Sequence, residues 1–388
     1  MTATGVRDLY LVTSARAIST IGNEVAVIAL LLRLHDAGAG GWAVAGLLIA
    51  GTLPLVVLAP VAGALADHYD SRTVLVAGGL AQAAVCTVLA FTYQPLAVLT
   101  LVALNASGSA VAGPTFTALV PALVPRDRLA MAIGLQEGAQ SVAILAGPAL
   151  GGLLTGLSGG ATLPLLLDAA TFAALAAAGG ALRTRRTPAE GANRRMFAGI
   201  ALLATDPVVR AVTGLLTVLV LVGEGVTVAE VFLVRDTFGG SATAFGVLTT
   251  TFTAGMLAGT LPAAALKTLR QTLIAIPLTA LVMAAGLIGA GSVGVLPGVF
   301  VSYGLAGLGA GALNVVAATL VLCRVPEDVR GRVQAALNGL LRAAGICALG
   351  LGGLAAAAFA PTTVFVLAGV AIAVAALAAI PILRTVRS

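Results

Sequence analysis

The sequence predicts an all-α polytopic membrane protein with twelve transmembrane helices. Of its 388 residues, 59% are hydrophobic and only 9% are charged, whereas about a quarter of the residues in a soluble domain carry charge. The mean hydropathy is +1.08. Apolar stretches of about 20 residues, each able to cross a bilayer core about 30 Å thick, recur along the chain and leave no room for a soluble domain.

The twelve predicted spans fall into two sets of six, separated by the longest polar stretch. We expect an N-terminal bundle at residues 1–182, a cytoplasmic linker at 183–206 and a C-terminal bundle at 207–388. The linker contains an amphipathic piece near residues 196–203. Charges, Gly/Pro clusters and turn residues place the spans at residues 9–34, 43–66, 73–93, 96–120, 129–157, 162–182, 207–234, 243–266, 271–291, 295–322, 331–358 and 361–383.

The distribution of basic residues predicts the orientation. If both termini are cytoplasmic, only Arg33 and Arg235 of the 21 Lys and Arg residues lie outside, as the positive-inside rule requires. A pI near 9.9 would suggest nucleic-acid binding in a soluble protein, but topology explains these loop charges, so we expect no nucleic-acid partner. The Ala-, Gly- and Arg-rich composition indicates a high-GC bacterial genome, and hence the bacterial cytoplasmic membrane.

The two halves show signs of an internal repeat. Val124 to Asp127 aligns with Val325 to Asp328 at an offset of 201 residues, and the glycine pair that begins at Gly151 aligns with the pair that begins at Gly352. At an offset of 200, Glu24 aligns with Glu224 and Asp36 with Asp236. A parallel duplication predicts two pseudo-symmetric six-helix bundles with a substrate path between them near the bilayer midplane.

Four spans carry polar stripes suited to a central pathway. A charge at the bilayer centre costs about 2.5–3.5 kcal/mol on insertion scales, so such residues usually face a cavity or a partner. The spacing of three to four residues places each set on one helix face. The stripes are Thr13, Arg16, Thr20, Asn23 and Glu24 in span one, Thr213, Thr217, Glu224 and Thr227 in span seven, Gln334, Asn338 and Arg342 in span eleven, and Glu137 and Ser141 in span five.

We assign Glu24 and Glu224 as the first candidates for proton coupling, since no other acidic pair is expected so deep, and Glu137 as the third. Glu230 is expected nearer the exterior, and Asp168 at an interface near the start of span six. Fixed ion pairs between helices are the alternative for each carboxylate. The candidates for the substrate cavity are Arg16, Thr20, Asn23, Thr217, Asn338 and Arg342, with the two arginines as counter-charges or anchors for an anionic group.

The loop after span two, residues 63–72, resembles the signature G-x-L-a-D-r-x-G-r-R of the major facilitator superfamily. Gly63, Leu65, Asp67 and Arg72 match. The resemblance, which covers nearly the whole chain, implies a cytoplasmic latch between the halves at Gly63, Asp67 and Arg72, with Asp67 bonded to a helix N-terminus near Gly331. Asp67 as a solvated loop charge is the alternative. The departures from the pattern are His68, Asp70 and Ser71, which stand where the family has a basic residue, a glycine and a second basic residue.

Span five contains Gly147, Pro148, Gly151 and Gly152, which resemble the antiporter signature g-x-x-x-G-P-x-x-G-G. Small residues allow close helix approach and the proline creates a bend, although ordinary helix packing uses similar patterns. Together with residues 113–125, this motif resembles the drug and macrolide exporter branch, which includes siderophore exporters. The arginine that many drug:proton antiporters carry in span four is absent, and Leu104 stands in its place.

The resemblance therefore implies a monomeric secondary exporter of a drug-like compound, natural product or siderophore, driven by proton antiport and suited to multidrug resistance. The alternatives are a uniporter, a proton-coupled importer of a small metabolite, or a non-transporting sensor or scramblase of the same fold. No enzyme motif and no phosphate-binding lysine occurs in the sequence, and its three cysteines and two histidines lack metal-ligand spacing. We expect no enzymatic activity, cofactor or metal; the partners are a small molecule, protons and the bilayer.

Overall fold

The structure is a computed structural model that describes residues 3–183, 207–266, 268–324 and 330–384, and these residues contain no β-strand. Within them, eleven helices are long and apolar enough to cross a membrane. The predicted all-α polytopic fold is confirmed. The helices are α1 (Ala3–Asp36), α2 (Gly41–Val57), α3 (Ala59–His68), α4 (Ser71–Ala90), α5 (Pro95–Leu123), α6 (Leu129–Ser158), α7 (Thr162–Ala181), α8 (Pro207–Phe232), α9 (Ala242–Ala264), α10 (Leu269–Ser292), α11 (Leu296–Arg324), α12 (Arg330–Ala358) and α13 (Pro361–Arg384).

The second span differs from the continuous helix that we predicted. It consists of α2, which is a shorter apolar helix, and α3, with a break at Leu58. Pro60 has no amide hydrogen to donate back to the carbonyl of Val56, and Pro54 lies inside α2. Helical bonds continue on both sides, because Leu58 N donates to Pro54 O at 2.9 Å and Ala62 N donates to Leu58 O at 2.7 Å. The two prolines therefore interrupt the helix of the second span, but the chain continues in the same direction.

The chain divides into two compact units. The first comprises Met1–Gly38 and Gly46–Ala192, and the second comprises Ala39–Ala45 and Asn193–Ser388. Each unit repeats the same five principal helix pairings. In the first unit they are α1 with α6, α1 with α7, α3 with α5, α4 with α5 and α4 with α7; in the second they are α8 with α12, α8 with α13, α9 with α11, α10 with α11 and α10 with α13. Two pseudo-symmetric six-helix bundles are confirmed.

Large apolar side chains both fill the units and cover their outer surfaces. In the second unit, the core includes Phe245, Ile276 and Phe365, each at most 1% exposed. Other apolar side chains are left open, and Leu261 and Val301 are both 75% exposed. This distribution suits a protein whose outer solvent is hydrocarbon, because apolar side chains on the outside gain as much from lipid as from the core.

Glycine allows α9 and α11 to approach at backbone distance. A Cβ placed at Gly255 of α9 would collide with the carbonyl oxygen of Gly304, and one placed at Gly311 of α11 would collide with the carbonyl oxygen of Met256. Helices in a membrane associate through such close packing, since burial of apolar surface gives them no advantage over lipid. The close contact between α9 and α11 therefore depends on these glycines, which have no side chain to hold the two helices apart.

Candidate functional site

The polar stripe of α1 is partly accessible along its length. Arg16, Thr20, Asn23 and Glu24 are half-buried. The guanidinium carbon of Arg16 lies 5.1 Å from the ring centroid of Phe116 on α5, within the range of a cation–π contact. The structure therefore places the α1 arginine against an aromatic ring and leaves the stripe open enough to meet a ligand.

A second polar stripe lies on α6, where it packs against α1. The hydroxyl of Thr20 donates to the side-chain oxygen of Gln140 at 2.6 Å. Gln136, one turn earlier, is 5% exposed, and its amide nitrogen has no hydrogen-bond partner among the described residues. Neither glutamine was among the predicted site residues. Their spacing of four residues, in register with Gly147, was the signal that could have revealed them.

The glycines of the antiporter-like motif face α1 directly. A Cβ at Gly147 would collide with the Cβ of Glu24, and a Cβ at Gly151 would lie 2.9 Å from the Cβ of Ile28 and 3.0 Å from the Cα of Val25. Pro148 and Gly152 are also buried on this helix. Thus the motif forms the surface on which the Glu24 segment of α1 packs.

The second unit repeats this close approach. A Cβ at Gly352 of α12 would lie 2.5 Å from the carbonyl oxygen of Gly225 on α8. Gly352 and Gly225 occupy the repeat positions of Gly151 and Val25, at offsets of 201 and 200 residues. The seam between spans one and five therefore recurs between spans seven and eleven.

Glu137 and Glu224 are more open than Glu24. Both lie on exposed positions of their helices, α6 and α8. Glu137 is the acidic residue whose charge acts on Arg16, although the described residues show no ion pair within 4 Å between them. A Cβ at Gly345 would lie 3.7 Å from the Cγ of Glu224, so Glu224 borders α12.

The remaining cavity candidates belong to α8 and α12. Thr217 is half-buried and its hydroxyl donates to the carbonyl of Thr213 at 2.8 Å. The side-chain amide of Gln334 donates to Asn338 at 3.2 Å. Asn338 and Arg342 are both exposed. Within the second unit, pairing of α8 with α12 brings these two polar stripes onto neighbouring helices.

Three other carboxyl groups are buried more deeply than the residues we selected, and the first is Asp8, which is 0% exposed. Asp168 is 0% exposed and Glu230 is 4% exposed. Burial within the protein therefore does not rank Glu24 and Glu224 first among the acidic residues. Helical periodicity identifies the polar face of one helix, but it does not show how many neighbours will cover a given residue.

Asp168 lies at a junction of three helices in the first unit. The thiol of Cys86 on α4 and the hydroxyl of Thr171 on α7 each donate to it at 3.3 Å. A Cβ at Gly22 of α1 would lie 2.6 Å from its Oδ1. Asp168 therefore joins α4 to α7 next to a glycine of α1.

Glu230 is bonded from two neighbouring helices. The hydroxyl of Tyr303 on α11 donates to its Oε1, and that of Thr249 on α9 lies 3.5 Å from its Oε2. The ring of Tyr303 packs against Phe252 at 4.8 Å and Phe365 at 5.7 Å between centroids. The carboxyl group of Glu230 is thus enclosed by hydroxyl groups and aromatic rings.

The latch residues are only partly described. Gly63 and Asp67 belong to α3, but their surroundings and those of Gly331 lie outside the described residues. Asp70 is the N-cap of α4, and its carboxylate accepts a bond from the amide of Arg72 at 3.3 Å. Replacement of the family glycine by Asp70 therefore supplies a helix cap. Most of the predicted linker, including its amphipathic piece, also lies outside the described residues.

The two arginines predicted outside both donate hydrogen bonds to backbone carbonyl oxygens. Arg33 donates to the carbonyl oxygens of Leu89, Ala90 and Thr92 at 3.0, 3.1 and 3.0 Å. Arg235 donates to the carbonyl of Gly240 at 3.1 Å, beside the π turn Leu233–Thr237 that follows α8. Each guanidinium donates to backbone carbonyl oxygens near a helix end. Both of the arginines predicted outside therefore contribute to packing.

Among the described residues, no group of three or more His, Cys, Asp or Glu side chains is arranged to hold a metal ion. The described cysteines, Cys86 and Cys347, are free thiols. The site therefore consists of carboxyl, amide, hydroxyl and guanidinium groups on apolar helices.

Comparison with known proteins identifies the family. The family described as transmembrane secretion effector matches residues 5–387. Macrolide efflux protein A of Streptococcus pyogenes is 27% identical over 151 residues, which are 37% of each chain. The lysophospholipid transporter LplT of Serratia proteamaculans is 29% identical over 149 residues, 38% of this chain and 36% of that protein. The chain thus matches little more than a third of the length of these relatives.

The fold also has a close counterpart among solved structures. A bacterial homolog of the human lysosomal transporter Spinster superposes with a TM-score of 0.77 over 99% of this chain and 98% of that chain, at 14% sequence identity. At that identity the likeness concerns the fold alone. The family match and the fold agree, so the chain belongs to the transmembrane secretion effector family and has the multi-pass fold of the major facilitator superfamily.

Proposed function

We propose that the chain is a secondary exporter that moves a small molecule outward in exchange for protons by alternating access. The packing of Gly147 on Glu24 carries this proposal, because it joins the antiporter-like motif to an ionisable side chain. Binding of a proton to Glu24 would change the charge at the contact between α1 and α6, along which α1 must move. The similarity to macrolide efflux protein A supports the outward direction.

The proposed cargo is an apolar or amphiphilic compound with a few polar groups, such as a drug, a natural product or a siderophore. The chain has only 4 Tyr and 1 Trp residues, so Leu, Val and Phe side chains would supply most of the apolar contact. Thr20, Asn23, Thr217 and Asn338 supply hydroxyl and amide groups on accessible helix faces. A transporter with this lining would accept several cargoes, consistent with a role in multidrug resistance.

In this proposal some charged side chains couple transport to protons, and others orient the cargo. Glu24 and Glu224 are the proposed coupling carboxylates, with Glu137 third, and Arg16 and Arg342 orient an anionic group of the cargo. Arg16 already lies over Phe116, which holds the guanidinium beside the accessible stripe of α1. The latch at Gly63, Asp67 and Arg72 would stabilise one state of the transport cycle on the cytoplasmic side.

The proposed location is the bacterial cytoplasmic membrane, with both termini and the linker in the cytoplasm and the chain acting as a monomer. Two six-helix bundles joined by a basic linker satisfy the positive-inside rule in this orientation. The exceptions are consistent with it, because Arg33 and Arg235 lie near the end of the first span of each unit and donate to backbone carbonyl oxygens.

Transport of a lysophospholipid is the second candidate, and the similarity to LplT favours it. Such a cargo has one acyl chain and a charged headgroup. Arg16 and Arg342 would then contact the headgroup phosphate, since guanidinium binds phosphate well.

Transport into inverted vesicles tests these functions. Purified protein would be reconstituted with its cytoplasmic face outward, and uptake of a radiolabelled macrolide and of a fluorescent lysophospholipid would be followed with an acid interior. We expect macrolide accumulation that an uncoupler abolishes. Accumulation of the lipid alone would favour the second candidate. Equilibration that ignores the pH gradient would indicate a uniporter, and movement of neither probe would contradict both export functions.

A further inference from the structure

The carboxyl group of Glu230 is held where three helices of the second unit meet. Tyr303 of α11 donates to one of its oxygens, and the hydroxyl of Thr249 on α9 lies 3.5 Å from the other and 3.3 Å from the carbonyl oxygen of Phe245. Phe252 and Phe365 flank the tyrosine ring and exclude bulk water from this side. Glu230 itself is 4% exposed. Such an enclosed acidic side chain has a defined geometry and few routes to solvent.

No cation balances a negative charge at this position in the described structure. Helix α9 contains no ionisable residue, and Tyr303 and Glu224 are the titratable groups that act on Glu230. The guanidinium of Arg235 points to the carbonyl of Gly240. Arg324 and Arg384 end α11 and α13, each about 30 Å along its helix from Tyr303 or Phe365.

Arg342 is the remaining arginine of an element packed on α8 that could approach, and it lies at a different depth. Gly345 is level with Glu224, so Arg342 stands about 13 Å below Glu230 along the parallel helices α8 and α12. A buried carboxylate without a paired cation is costly, whereas a protonated carboxyl bonded to hydroxyl groups is not. The surroundings of Glu230 therefore suit a group that holds a proton.

A polar route connects Glu230 to the surface of its unit. Thr227 lies one turn before it on α8, and its hydroxyl acts on the carboxyl group of Glu230. The hydroxyl of Thr227 also lies 3.4 Å from the carbonyl oxygen of Gly223, next to Glu224. Glu224 is exposed. The three side chains thus lead along one helix from an open carboxylate through a hydroxyl to an enclosed carboxyl group.

We infer that Glu230 is a proton-storage site of the transporter, loaded through Glu224 and Thr227 and positioned by Tyr303. In the loading step, the protonated carboxyl of Glu224 loses its proton and the carboxylate of Glu230 gains it, with the hydroxyl of Thr227 accepting one proton and passing on another. Tyr303 keeps its own proton and donates a hydrogen bond to Glu230 throughout. This inference rests on the proposed proton exchange and adds an enclosed site to the accessible one.

Infrared difference spectroscopy tests the site without any cargo. Spectra of the purified protein at acid and alkaline pH would be compared for the wild type, Glu230→Gln, Tyr303→Phe and, as a control, Asp236→Asn at an exposed acid. We expect a protonated-carboxyl band that Glu230→Gln removes, Tyr303→Phe shifts to higher frequency, and Asp236→Asn leaves in place. Persistence of every carboxyl band in Glu230→Gln would overturn the inference.

Macrolide accumulation in the inverted vesicles separates this inference from the proposed function. If the wild type accumulates the macrolide, Glu230→Gln should lose accumulation, and Tyr303→Phe should shift its pH profile while Tyr10→Phe, at an exposed tyrosine, should not. Accumulation by Glu230→Gln at the wild-type rate and pH dependence would overturn the inference while leaving proton antiport intact. If the wild type moves no macrolide but Glu230→Gln still removes the infrared band, the proposed function fails and the proton site stands.

Discussion

Gly147 of α6 lies directly against Glu24 of α1, whose Cβ and Cγ occupy the space that a side chain at position 147 would need. Replacing Gly147 with Ala should force the two helices apart, at a cost of about 1–3 kcal/mol for overpacking. We expect a lower thermal midpoint in detergent and loss of macrolide accumulation. Both would be measured on the purified protein.

Gly138 provides the matched control on the same helix. A Cβ there meets no atom within 4 Å, so Gly138→Ala should leave packing intact and stabilise the helix by about 0.5–1 kcal/mol. Equal losses in the two variants would show that the seam with Glu24 has no special role.

Arg33 should stabilise the first unit through its three bonds to the end of α4. Removing it in Arg33→Ala leaves those carbonyl oxygens without their charged donor, for which we expect a loss of about 1.5–3 kcal/mol. Arg33→Lys keeps the charge but not the forked geometry, so it should recover only part of the loss. Thermal unfolding of the three proteins measures this order, and full rescue by lysine would show that charge alone matters.

The sequence predicted the membrane fold and the repeat because both depend on features that recur along the chain. Span length follows from hydropathy, and the match of Gly151 with Gly352 survives as the same seam in both units. The break at Leu58 was missed, since prolines within membrane helices are often accommodated. The burial of Glu230 was also missed, because it depends on Tyr303, 73 residues away in sequence. Contacts between residues so far apart in sequence produce no periodic pattern in the sequence.

The proposed topology places residues 183–195 and 384–387 in the cytoplasm. In a variant with Cys86, Cys323 and Cys347 replaced, single cysteines at Thr187 and Ser388 should resist an impermeant thiol reagent added to intact cells. Gly40→Cys is the positive control, because Gly40 is exposed between α1 and α2 at the opposite end of the first span. Labelling at Thr187→Cys or Ser388→Cys as efficient as at Gly40→Cys would reverse the orientation.

The latch hypothesis predicts that Asp67→Asn impairs transport without impairing insertion. A carboxylate at a helix N-terminus contributes about 1 kcal/mol, which corresponds to about a fivefold change in the balance between two states. Asp70→Asn is the control, because asparagine also caps helices and should keep the bond to the amide of Arg72. Macrolide uptake at equal expression compares the two variants, and wild-type uptake by Asp67→Asn would make Asp67 a solvated loop charge.

The last prediction concerns Glu24 and Glu224, which occupy corresponding positions of the two units and are both accessible from the helix surface. If export is exchanged for protons, at least one of them must bind a proton on one side of the membrane and release it on the other. Glutamine imitates the protonated form with little change in volume. Replacement of the coupling carboxylate by Gln should therefore abolish accumulation against a gradient and leave cargo binding and downhill exchange measurable.

Accumulation and exchange must be measured on the same vesicles, because their ratio separates coupling from damage to the fold. A variant that loses both has lost its structure or its cargo site, whereas one that loses only accumulation has lost the proton. If Glu24→Gln, Glu224→Gln and the double variant all accumulate macrolide at the wild-type rate, with the same pH dependence, neither carboxylate carries the coupled proton. Glu137→Gln is then the next variant, and its full activity would leave a differently coupled carrier to account for transport.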